Sequence, residues 1–105
     1  STPTISLTLD GKMVYTFAGP IEEAKSRAYA AAEALSDALT DGLLDYDFRV
    51  DDSLHGPRLV AHTKEILTVA EADAALAGEP PRAVAEAALR RLRGILWAKR
   101  VEAHI

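Results

Sequence analysis

The sequence predicts an α+β fold: a two-layer sandwich in which a four-stranded antiparallel sheet, built from two β-hairpins, carries two main helices on one face and a short extra helix, in the order ββαββαα. Three observations support it. Short stretches alternate apolar and polar residues with a period of two, and turn residues bound them. Two long stretches, residues 20–40 and 80–105, repeat their apolar residues every three to four positions. The chain of 105 residues, 49% hydrophobic and 27% charged, has the size and composition of one globular domain spanning 1–105.

Thr4 to Leu9 and Met13 to Phe17 alternate on either side of Asp10-Gly11, which is a hairpin signal. A three-residue loop pairs odd positions with odd ones and places Ile5, Leu7, Leu9, Met13, Tyr15 and Phe17 on one face. A two-residue loop splits these residues between faces, so the odd loop is expected. Gly19-Pro20 ends the hairpin, and residues 20–40 then read as a helix. Ile21, Ala24, Ala28, Ala31, Ala32, Leu35, Ala38 and Leu39 form its apolar stripe, and Gly42 is placed to end it in the left-handed conformation.

Leu43 to Val50 is expected as the third strand, with Tyr46, Phe48 and Val50 on one side and Asp45, Asp47 and Arg49 on the other. A loop from Asp51 to Pro57 and a single fourth strand from Arg58 to Leu67 follow. Thr68 and Glu71 have the spacing of a capping box, which predicts a short helix closed by Gly78. Pro80-Pro81 opens the last helix, where an absent N–H is no loss. The face of the sheet that carries Thr4, Ser6, Thr8, Asp45 and Asp47 is expected to meet water.

The chain has no cysteine, which excludes a disulfide framework, a thiolate nucleophile and any cysteine zinc site, and suits a cytoplasmic setting. No window is apolar for long enough to span a membrane, and no membrane partner is expected. Heavy use of alanine and of arginine over lysine points to a GC-rich bacterial gene. No glycine-rich phosphate loop is present, and no cofactor is expected.

Charge is divided unevenly. Residues 80–105 hold six basic and two acidic side chains, whereas residues 1–79 hold six and fourteen. The division implies an acidic partner for the last helix or an attraction between the two parts of the fold. In the last helix Val84, Ala85, Ala88, Leu89, Leu92, Ile95 and Leu96 make one stripe, while Trp97, Val101 and Ile105 make a second on nearly the opposite side. A helix inside a monomer needs only the first. The second is the expected interface, with a second copy of the chain as a homodimer or with another protein. The alternative is that Trp97 folds back on its own domain, for instance against the short helix that follows Thr68.

Arg82, Arg93 and Arg100 lie nearly in line along the same helix, with Arg90 and Trp97 beside them, which is a pattern suited to anion or nucleic-acid contact. A net charge of −4 places that alternative second, because nucleic-acid binders of this size are usually basic. A third alternative is a small enzyme using Asp45, Asp47, His55 and His62. Ser53, His55 and the nearby aspartates have the residue types of a hydrolytic triad, but not its elbow context. The spacing of His55 and His62 matches no zinc pattern. No catalytic or metal residue is assigned, and the leading expectation is a non-enzymatic binding or assembly module.

Overall fold

The computed structural model describes residues 3–103. Among these residues the fold is α+β, with three α-helices and five strands in two antiparallel sheets: β1 (Thr4–Leu9), β2 (Lys12–Ala18), α1 (Ile21–Thr40), β3 (Phe48–Ser53), β4 (Gly56–Ala61), β5 (Lys64–Thr68), α2 (Glu71–Ala77) and α3 (Pro81–Glu102). The hairpin β1-β2 is one sheet and the meander β3-β4-β5 is the other. The expected single four-stranded sheet is therefore corrected on two counts. The two sheets share no backbone ladder, and the stretch from Arg58 to Leu67 is two strands.

The extra strand arises at His62-Thr63, a two-residue loop between the paired residues Ala61 and Lys64. His62 takes a φ of 56° without being glycine. Asp47 holds it there from both sides. The His62 N–H donates to the Asp47 carbonyl at 3.3 Å, and His62 Nε2 lies 2.9 Å from Asp47 Oδ1.

The first hairpin also differs from expectation. Its loop is the two-residue Asp10-Gly11, with φ of 53° and 75°, the left-handed pair that matches strand twist. Odd still pairs with odd farther along, Leu7 with Tyr15 and Ile5 with Phe17, because a register shift after Leu7 leaves Val14 as an extra residue. Met13 is consequently 43% exposed, while Val14 and Tyr15, adjacent in sequence, are both buried. A second shift between Leu59 and Val60 leaves Ile66 as the extra residue on β5, and Ile66 and Leu67 are likewise both buried.

The expected third strand from Leu43 begins five residues later. Asp45–Asp47 is a turn of 3-10 helix, and the strand runs from Phe48 through Ser53, so the expected loop is only Leu54-His55. The Thr68 capping box does not form. Thr68 ends β5, and α2 is capped instead by Asp73, whose carboxylate accepts the Ala70 N–H at 3.0 Å.

The inward stripes of both long helices match expectation in their main members. Ala24, Ala28, Ala31, Leu35 and Ala38 of α1 join Val84, Ala85, Ala88, Leu92, Ile95 and Leu96 of α3 in one core with Leu7, Tyr15, Phe17, Phe48 and Leu59. Small side chains let α1 lie close across β1, β2 and β5, while α3 covers β2, β3 and β4. Gly42, at φ 84°, ends α1 as expected, with the Leu43 N–H donating to the Ala38 carbonyl at 3.1 Å. The outer side is wet. Ser6 and Thr16 hydroxyls lie 3.3 Å apart across the hairpin, and Arg58 makes two 2.8 Å bonds to Asp51 across β3-β4.

Candidate functional site

Opposite the buried stripe of α3 lie the side chains of Glu86, Arg90, Trp97 and Val101 and the bare backbone of Gly94. Trp97 is 55% exposed and Val101 38%, so each keeps a solvent-facing surface. Ile105, the third member of the expected interface, lies outside the described residues. Gly94 adds something that the sequence reading did not weigh. It sits in the interior of a 22-residue helix, and a Cβ built on it meets nothing within 4 Å. Glycine at such a position costs about 1 kcal/mol relative to alanine, and no close neighbour among the described residues requires it.

The arginines of α3 fall into two groups. Arg82 pairs with Asp52 at 3.0 Å and with Glu86 at 3.2 Å, and Arg100 clasps Asp45 with two bonds of 3.1 and 3.2 Å. These bonds fasten the two ends of the helix to the acidic part of the chain. Arg93 and Arg91 donate to the carbonyls of Phe48 and Val14, at 2.6 and 3.0 Å, and so find geometry without a countercharge. Arg90 has no ion-pair partner among the described residues.

The acidic and histidine candidates do not converge. Asp45 is taken up by Arg100. Asp47 accepts the Leu44 N–H at 2.7 Å and faces His62; the Leu44 bond first and the His62 contact second hold its carboxyl below the ordinary range. Asp51 is held low chiefly by its hydrogen bonds from Arg58. His55 and His62 flank the two ends of β4, which spans six residues and so separates them by about 20 Å, not face to face across a hairpin. Among the described residues no group of three His, Cys, Asp or Glu side chains is placed to hold a metal ion.

The strongest electrostatic cluster is one that the sequence reading missed. Asp73, on the first turn of α2, is 2% exposed. Its carboxylate accepts the Tyr15 hydroxyl at 2.6 Å, the Ala18 N–H at 2.8 Å, the Ala70 N–H at 3.0 Å, and two bonds from Arg27. Arg27 also donates to the Thr68 carbonyl at 3.1 Å and lies 5.0 Å from the centre of the Phe17 ring. Burial pushes the Asp73 carboxyl upward, but Arg27, Tyr15 and the two backbone donors outweigh it and hold it low. Burial first, and then the hydrogen bond to Asp73, push the Tyr15 hydroxyl well above its usual range. With five donors on two oxygens, the cluster joins β2, α1, β5 and α2 and has no free acceptor for a ligand. Its signal was present in the sequence. Arg27 falls within the inward stripe of α1, three residues from Ala24 and four from Ala31, and a charge there requires a buried partner.

Two open hollows accompany these features. One, of about 430 Å³, lies between the ends of α1 and α3 and is floored by Leu39, Leu43, Leu44 and Leu96. The other, of about 410 Å³, runs between β1 and α1. No described helix is long and apolar enough to cross a membrane.

The sequence profile of a family described as Domain of unknown function (DUF8459) matches residues 6–97, from β1 to Trp97. The chain belongs to that family. No curated protein and no solved structure matches the chain. The family match spans both sheets, all of α1 and α2, the Asp73 cluster and most of α3.

Proposed function

We propose that this domain is a non-enzymatic binding or assembly module that associates with a second copy of itself through the outward face of α3. The observation that carries the reading is the exposure of Trp97 and Val101 directly opposite a complete buried stripe, with Gly94 one turn away. A large aromatic at 55% exposure beside an uncovered helix backbone is the composition of an interface centre, where tryptophan and arginine are enriched. Removing such a patch from water stabilises association by roughly 25 cal/mol per Å² of apolar surface, before the costs of ordering.

The same helix as a nucleic-acid contact is the weaker reading, because Arg82 and Arg100 are neutralised within the chain by Asp52 and Asp45. The enzymatic reading has no convergent group to rest on: Asp45, Asp47, His55 and His62 each have separate surroundings. Light scattering across a concentration series tests the proposal. The expected result is a mass above that of the 11.3 kDa monomer, reduced to the monomer by Trp97→Asp with unchanged circular dichroism. A wild-type protein that stays monomeric at high concentration, or a variant with wild-type mass, removes this reading.

A further inference from the structure

We infer that the surface receiving the outward face of α3 is the outward face of α1 on a second copy, so that the contact is head-to-tail and not symmetric about α3. The inference rests on the reading of α3 proposed above and adds the identity of the partner surface.

The outward side of α3 is apolar with one open cation: Arg90 has no ion-pair partner among the described residues, and Glu86 on the same side is already taken by Arg82 at 3.2 Å. Pairing α3 with α3 brings Arg90 of two copies into one seam with no carboxylate left open to match it, where like charges oppose contact. A complementary surface must be acidic, of similar length and equipped with an exposed apolar group.

The outward face of α1 has all three properties. At about 100° per residue, Glu22, Tyr29, Glu33 and Asp37 lie opposite the alanine stripe. Glu33 has no ion-pair partner among the described residues, while Glu22 and Asp37 reach only the surface lysines Lys25 and Lys64, at 3.9 and 3.3 Å. Tyr29 is 76% exposed in the middle of this acidic row. The helix has 20 residues against the 22 of α3. The recess left by Gly94, one turn from Trp97, gives the ring of Tyr29 a place to lie against the helix.

Each copy then presents one donor face and one acceptor face, and the contact is heterologous, closing as a ring or continuing as a chain of copies. Its charge pairs lie at the rim, so association weakens as salt is raised.

Two variants that each keep one face intact provide the test. Trp97→Asp disables the α3 face, and the double variant Tyr29→Ala, Glu33→Lys disables the α1 face; all three side chains are exposed, and circular dichroism checks that folding is retained. Each variant alone is expected to be monomeric by light scattering, and an equimolar mixture is expected to give a 1:1 heterodimer that dissociates with added NaCl. If the α1 variant associates like the wild type while Trp97→Asp does not, the α3 surface stands and its assignment to α1 is overturned. A mixture that remains monomeric overturns the assignment too. Wild-type protein that is monomeric throughout overturns both readings together.

Discussion

Arg27 and Arg90 are both helical arginines of one small chain, and their surroundings are opposite. The guanidinium of Arg27 meets a carboxylate, a carbonyl and an aromatic ring, all within its own domain. That of Arg90 meets no carboxylate among the described residues. The difference separates two uses of charge. Around Asp73 every polar atom is matched, so the cluster fixes the relation of β2, α1 and α2 and offers nothing to a visitor. Along the outward face of α3 the charge is left open beside an exposed indole, and the proposed contact draws on both.

The largest break in this comparison is expected inside. Asp73→Ala leaves the Arg27 charge part-buried without its carboxylate, and removing one member of a buried pair costs about 3–5 kcal/mol. Chemical denaturation followed by circular dichroism measures it, and a loss under about 1 kcal/mol contradicts the role assigned to the cluster. Acid gives a graded form of the same experiment. The folded carboxyl of Asp73 is held below its unfolded value, so its contribution is complete above a pH of about 4 and fades as pH falls through the folded value. Stability of the wild type should decline over that acid range, and that of Asp73→Ala should decline less steeply. Some slope remains in the variant, because Asp47 and Asp51 are also held low.

The smallest change concerns the outward face and has two readouts of opposite sign. Gly94→Ala places a methyl group in open space, so the isolated domain should gain up to about 1 kcal/mol from helix propensity. Self-association should weaken, since the recess is filled. A variant that is more stable and associates equally well separates Gly94 from the interface.

How much of this was legible depended on the range of the signal. Local patterns were readable: Asp10-Gly11 marked the first hairpin, Pro20 and Gly42 bracketed α1, and the inward residues of α3 followed from spacing alone. Features set by contact between distant segments were not. Val14 and Ile66 are bulge residues whose placement depends on the partner strand. His62 adopts a left-handed turn because Asp47, fifteen positions earlier, secures it. Asp45 and Asp47 alternate like strand residues, yet they form a 3-10 turn closed by the side chain of Asp47 on the Leu44 N–H. For the candidate surface, the second stripe of α3 was legible as a pattern. Its exposure, and the emptiness around Gly94, required knowing where every other element had gone.

The chain contains a single tryptophan, and it is the residue at the centre of the proposed contact. Its fluorescence arises outside the core, whose aromatic members are Tyr15, Phe17 and Phe48. In the monomer the indole emits from a largely aqueous setting, and covering α3 shifts that emission to shorter wavelength without any label. Tertiary unfolding, which completes the exposure of an indole already 55% exposed, should shift the same signal in the opposite direction. On the proposed contact, encounter and unfolding therefore move one optical signal in opposite directions.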